Sequence, residues 1–174
     1  MKSPLACEPL AESHAQELHD ELLDHRLYHF IPERPPRSLQ ALQREYAEFA
    51  GGAPAGSGEV WMNWAIRDTA SQRCVGTLQA TRFADGRLWV GYKIVPTAWN
   101  RGFASAALTW LTRELAHRFP GQPLLAAVDS RHAASIRVLQ KCGFMPLREE
   151  PAELHGQPTR DIVFQFPAPG DGAP

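Results

Sequence analysis

VGYKIVPTAWNRGFAS, residues Val90 to Ser105, changes its structural period midway. Val90–Val95 is an extended run of strand length, and Pro96 ends it because proline cannot donate to a ladder. A helix opens at Arg101-Gly102-Phe103-Ala104. Gly102 lets a ligand approach the backbone closely, and Ala104 keeps the next turn uncluttered. The first turn of a helix presents N–H groups without intrahelical partners, and the helix dipole adds partial positive charge. Together they make a phosphate site that needs no lysine. The same residues also suit an ordinary strand-to-helix connection, because an isolated Gly-x-Ala is a weak signal.

Upstream of this stretch, Pro4–Leu10 reads as a short strand-like segment, and Glu12–His29 predicts a helix with Ala15, Leu18, Leu22, Leu23 and Leu27 on one stripe. Ser38 is a cap for a second helix that turns Leu39, Leu42, Tyr46 and Phe49 inward. Val60–Arg67, Arg73–Phe83 and Arg87–Val95 predict three strands, with Asp85-Gly86 as a tight hairpin turn. Downstream, Gly102–Phe119 predicts a helix with Phe103, Ala107, Leu108, Leu111 and Leu115 on one stripe. Leu124–Val128 predicts a buried strand, Ser130–Cys142 a helix closed by Gly143, and Phe144–Arg148 with Arg160–Phe166 a final pair of strands. This order gives a mixed α/β layer fold over residues 1–166. Pro167–Pro174 predicts a disordered tail.

Composition narrows the classes. With 174 residues, 44% of them hydrophobic, the chain can bury a core without disulfides or metal staples. A net charge of -1 argues against a dedicated nucleic-acid binder. The longest charge-free apolar stretch, Gly102–Thr112, is too short for a membrane span of roughly 20 residues. The N-terminal MKSPLACEPLAESHAQ lacks a secretory h-region, and Cys7, Cys74 and Cys142 form no CxxC pair. A cytoplasmic protein with reduced thiols is expected.

A second motif is VDSRHAASIRVLQKCGF, Val128–Phe144, a strand end, a helix with Ser135 in its first turns, and a Gly-Phe exit. Gly91-Tyr92-Lys93-Ile94-Val95-Pro96 with Trp99-Asn100-Arg101-Gly102-Phe103-Ala104, followed by His132, Ser135, Val138, Leu139, Lys141, Gly143 and Phe144, resembles the GNAT superfamily of acetyl-CoA-dependent N-acetyltransferases. The match is most similar to its ribosomal-protein-acetylating (RimJ/RimL-like) branch and covers about Leu88–Leu147. The resemblance implies one α/β domain with a mixed, mostly antiparallel twisted sheet, splayed at its centre, and helices on both faces. It implies acetyl-CoA as co-substrate. The pantetheine arm would lie along Tyr92, Lys93 and Ile94, and the pyrophosphate on Asn100, Arg101, Gly102, Phe103, Ala104 and Ser105. An N–H near Ile94 would face the thioester carbonyl; one such oxyanion donor is typically worth ~10²–10³ in rate.

The chain also departs from the family pattern. His132 stands where many members have asparagine, Leu139 where some have a thiolate-protonating tyrosine, and Ala127 where some have a glutamate base. Ser135 is then the candidate for protonating the thiolate, with a first-turn serine bonding backbone as its bland counterpart. His132 is expected to contact the coenzyme. Tyr28, His29 and Phe30 are expected to form part of the acceptor wall. His25 and His29 stand at i, i+4, but no third metal ligand accompanies them, so no metal is expected. Arg131, Arg137 and Lys141 suit either the coenzyme 3′-phosphate or a solvated helix face. The expected activity is transfer of acetyl to a primary amine by direct attack on the thioester, the acceptor being a peptide N-terminus or a small polyamine-like or aminoglycoside-like amine. With no evident carboxylate base, an acceptor of low pKa is favoured, unless Glu59 or Glu149 reaches the thioester. A catalytically silent acyl-CoA sensor of the same fold is the alternative. The partners expected are the amine acceptor alone, with no nucleic acid or membrane, and a monomer or homodimer.

Overall fold

The structure, a computed structural model, describes residues 4–167. Seven strands form one sheet in the order β1-β2-β3-β4-β5-β7-β6. They are β1 (Leu5–Pro9), β2 (Val60–Asp68), β3 (Cys74–Arg82), β4 (Leu88–Ile94), β5 (Leu124–Asp129), β6 (Met145–Leu154) and β7 (Gln157–Phe166). Every neighbouring pair is antiparallel except β4–β5, which is parallel. Four helices complete the domain: α1 (His14–Leu18), α2 (Leu39–Gly51), α3 (Phe103–Arg118) and α4 (Ala133–Lys141). The helices cover both faces of the sheet, as consecutive residues of β2 show. Asn63 donates to the Phe49 carbonyl on α2, whereas the Trp64 ring meets Trp110 of α3 with centroids 5.5 Å apart. The mixed, mostly antiparallel open sheet expected from the sequence is the fold observed.

The long helix α3 organises the core. Phe103, Ala107, Leu108, Leu111 and Leu115 are all buried, which is the stripe its helical period predicts. Each fully buried leucine contributes roughly 1.5–3 kcal/mol relative to an exposed one. Helix α2 starts where Ser38 Oγ accepts the Ala41 N–H at 3.1 Å, as its capping residue type requires.

Three segments differ from their sequence expectation. The helix predicted over Glu12–His29 is instead the short α1 followed by two 3-10 turns, Glu21–Leu23 and His25–Tyr28. Asp24 interrupts it with an extended ψ of 111°, its carboxylate accepting the Arg26 N–H at 3.0 Å, an alternative to helical bonding that aspartate offers its own backbone. Helix α4 starts at Ala133 rather than Ser130, because Asp129 accepts the Arg131 N–H at 2.9 Å and holds the preceding residues in a turn. The last two strands are ten residues each and join through His155-Gly156, both with positive φ. Pro151 and Pro158 masked this hairpin in the sequence. Pro151 lies on the sheet-edge strand β6, and Pro158 lies beyond the part of β7 that pairs with β5. The tail expected at the C-terminus falls, from residue 168 on, outside the described residues.

Gly76 faces Ile94 where β4 ends, and it fixes how closely β3 runs there. A Cβ built on Gly76 would overlap the Lys93 carbonyl oxygen and stand 3.1 Å from the Ile94 Cα. Both obstacles are backbone and cannot rotate away. Gly76→Ala is therefore expected to lose about 1–3 kcal/mol of stability in denaturant unfolding, the range for overpacking a tight site. An unchanged midpoint would contradict this account of the β3–β4 contact.

Candidate active site

The site is built on a strand pair that comes apart. Parallel β4 and β5 pair only at Leu88–Leu124 and Trp89–Leu125. Beyond Trp89, β4 stays with β3 as far as Ile94, and β5 stays with β7 as far as Asp129. The Val95 N–H donates to the Val75 carbonyl at 2.9 Å, so the alternation of an antiparallel ladder points the backbone groups of Val90, Tyr92 and Ile94 the other way, into the gap. The Ile94 carbonyl is taken up there by the Trp99 indole at 2.7 Å.

A cavity of about 280 Å³ occupies the gap. Val90–Lys93 and Ala126–Asp129 line its strand walls, with His132, Ser135 and Leu139 of the α4 segment on one side and Phe30–Glu33 on another. Two adjacent β4 residues reach to opposite faces of the sheet. Tyr92 meets Ser135, hydroxyl to hydroxyl, at 2.8 Å, whereas the Lys93 ammonium pairs with Glu33 and lies 5.9 Å from the Tyr28 ring centroid.

The turn after β4 leads into α3, whose Leu108 lines the cavity, whereas none of Asn100–Ser105 is among the cavity-lining residues. Asn100 (φ 59°) and Gly102 (φ 82°) are both left-handed, and no side chain caps the helix. The first helical bond at this end runs from the Ala106 N–H to the Gly102 carbonyl, which leaves the N–H groups of Phe103, Ala104 and Ser105 without an intrahelical acceptor. Arg101 reaches the buried Asp68 carboxylate at 3.2 Å and lies over the Phe103 ring, 4.9 Å from its centroid. Backbone donation from Ala70, followed by the Ser71 hydroxyl, holds the Asp68 carboxyl below its ordinary range.

The other sequence-selected residues divide between the cavity and its mouth. The His132 ring stacks on Phe30 with centroids 4.7 Å apart, and burial lowers its pKa, keeping the imidazole neutral more readily. His29 packs edge-on against Phe30 and lines the outer mouth with His25 and His155. The Tyr28 hydroxyl is turned away from the inner cavity, donating to the Leu22 carbonyl at 2.7 Å. Among the described residues no group of three potential metal ligands forms around His25 and His29.

The cavity does contain carboxylates, which the sequence did not place there. Glu33, Glu45, Glu153 and Asp161 all line it. Burial raises the pKa of Glu45, and burial with the neighbouring Asp129 raises that of Asp161. Asp129 is different: the Arg131 guanidinium holds its carboxyl well below the usual range, with Thr159 donating at 2.9 Å. Glu59 and Glu149 stand elsewhere, accepting from Trp61 at 2.7 Å and from Arg160 at 3.0 Å. The expectation of no evident carboxylate near the site is thereby corrected: acids do line the cavity. The missed signal was His155-Gly156, a two-residue turn whose recognition would have extended β6 and β7 and paired Glu153 with Pro158.

The family described as acetyltransferase (GNAT) domain matches residues 5–145. Among solved structures, the chain is similar to a ribosomal-protein-S5-alanine acetyltransferase from Vibrio fischeri, at 16% identity over 100% of this chain and 98% of that one, with a TM-score of 0.81. An acetyltransferase from Salmonella typhimurium that modifies the N-terminal serine of ribosomal protein L7/L12 aligns at 16% identity over 97% of each chain, TM-score 0.82. A chimera of the spermidine N-acetyltransferase from Vibrio cholerae aligns at 13% identity over 95% of this chain and 96% of that one, TM-score 0.74. At these identities the likeness is one of fold. No curated protein matches the sequence.

Gly102→Asn and Gly102→Asp separate charge from backbone strain at the head of α3, since both side chains tolerate the left-handed region better than others do. The aspartate favours the helix dipole and opposes a phosphate. Calorimetry should show acetyl-CoA affinity at least about tenfold weaker for Gly102→Asp than for Gly102→Asn, a difference of about 1.4 kcal/mol. Its melting temperature should be no lower. Equal affinities would remove the phosphate from this turn.

Proposed function

Because the chain belongs to the GNAT acetyltransferase family, we propose that it moves the acetyl group of acetyl-CoA onto the α-amine of a peptide or protein N-terminus, by direct attack on the thioester. The observation that carries this reading is the gap between β4 and β5, lined by unpaired β4 backbone and continuous with a carboxylate-bearing chamber. The pantetheine arm pairs with Tyr92 to Ile94, the Ile94 N–H donates to the thioester oxygen, and the pyrophosphate rests on Asn100 to Ser105. His132 flanks the arm, and Phe30 with His29 walls the acceptor entrance. Tyr28 supports that wall from behind. When the electron pair of the C–S bond passes to sulfur, Ser135 protonates the thiolate.

The ranking of acceptors follows from the cost of a neutral amine. An α-amine titrates near ~7.7–8.0, so freeing it at pH 7 costs about 1–1.4 kcal/mol. A lysine side chain at ~10.4 costs roughly 4.6 kcal/mol. That equilibrium cost is the same whichever carboxylate accepts the proton. Orientation of the amine against the thioester can supply ~7–11 kcal/mol, well above either figure. Small polyamine-like or aminoglycoside-like amines form the second acceptor class, favoured by one specific observation. Glu45, Glu153 and Asp161 line the chamber beyond the Lys93–Glu33 pair, and ionised carboxylates there attract a polycation.

Thiol release from acetyl-CoA, measured against a panel of peptide N-termini, polyamines, aminoglycosides and free lysine side chains, tests the reading. At pH 7 the peptide α-amines should react fastest, with kcat/KM rising with pH and levelling above ~8 as the α-amine becomes neutral. Faster polyamine turnover would assign the second acceptor class. Thiol release with none of the amines would overturn the transferase reading.

A further inference from the structure

Tyr92 carries a hydroxyl that the proposed reaction has not yet used. Its only partner among the described residues is Ser135 Oγ at 2.8 Å, and Ser135 Oγ has no other partner there. The contact joins the centre of β4 to the first turn of α4, and both residues line the cavity. Either hydroxyl can donate across this contact, and the phenol, as the stronger acid, is the better donor. A serine in the first turn of a helix otherwise turns its hydroxyl to nearby backbone, which would waste its hydrogen.

We infer that Tyr92 is a positioning residue for acetyl transfer, donating to Ser135 Oγ so that the serine hydrogen faces the cavity where the sulfur departs. The inference rests on the assignment of Ser135 as the group that protonates the thiolate. As the tetrahedral intermediate collapses, the C–S bond breaks and its electron pair goes to sulfur. Sulfur takes the Ser135 proton while the serine oxygen takes the Tyr92 proton, and solvent refills the phenol. The proton shed by the attacking nitrogen goes to solvent, so amine and thioester become amide and thiol. Burial pushes the Tyr92 phenol up to about 12, which keeps it protonated, and therefore a donor, at every pH at which the enzyme would work.

Steady-state kinetics of wild type, Tyr92→Phe, Ser135→Ala and the double variant test this. Tyr92→Phe keeps the ring and removes one hydroxyl. It should lower kcat about tenfold and leave the KM for acetyl-CoA within about twofold, part of the ~10²–10⁴ that proton transfer contributes. Ser135→Ala should lower kcat about a hundredfold, and adding Tyr92→Phe to it should lower kcat no further, since residues acting through one another are not additive. A wild-type kcat in Tyr92→Phe would overturn the inference. So would losses that multiply in the double variant, or a raised KM at unchanged kcat. Absence of turnover in the wild type would overturn the transferase reading itself, whereas turnover with an indifferent Tyr92→Phe overturns this inference alone.

Discussion

The structure depends on a ladder that stops after two residue pairs. Parallel β4 and β5 touch at Leu88–Leu124 and Trp89–Leu125 and then separate. Each strand is instead paired on its other side. β4 is held along its length by β3, to which Gly76 allows an approach that no other residue permits. β5 is held from Leu124 to Asp129 by β7. The fold therefore keeps a row of backbone donors and acceptors available in a partly buried slot, at a free-energy cost that an extended, amide-bearing ligand would offset by pairing with them.

That slot also sorts the chemistry by face. Side chains alternate along a strand, so Tyr92 and Lys93 must project in opposite directions. Tyr92 engages Ser135 of α4, and Lys93 engages Glu33 of the segment between α1 and α2. The helix α3 opens at Phe103, a short turn after β4 ends at Ile94, and its first N–H groups have no intrahelical acceptor. Acetyl-CoA approached along β4 would thus meet backbone donors at its acyl end and its pyrophosphate, while the amine would come from the carboxylate-lined chamber.

Most of the sheet, and the strand and helix ends on which the proposed coenzyme site rests, were legible in the sequence because they rest on local rules. Pro96 had to end β4, Ser38 had to cap α2, and the stripe Phe103, Ala107, Leu108, Leu111, Leu115 had to face inward. The acceptor half was not legible, since it is made by tertiary placement. The apolar period of Glu12–His29 suggested one helix, but the Asp24 carboxylate accepts the Arg26 backbone N–H and breaks the segment into turns. Pro151 and Pro158 concealed a hairpin that tolerates them only because of where its strands sit in the sheet, and with it the cavity position of Glu153. The Tyr92–Ser135 contact spans 43 residues of sequence, and no local pattern reports such a pairing.

The central claim is that the open edge of β4 and the first turn of α3 form one acetyl-CoA site. Amide hydrogen exchange, followed residue by residue with and without acetyl-CoA, examines both halves at once. The account predicts that the amides of Tyr92 and Ile94, together with Phe103, Ala104 and Ser105, become protected on binding, while those of β6 and β1 do not change. Binding that leaves Tyr92 and Ile94 exchanging as in the free protein, or that protects a different edge of the sheet, would contradict it.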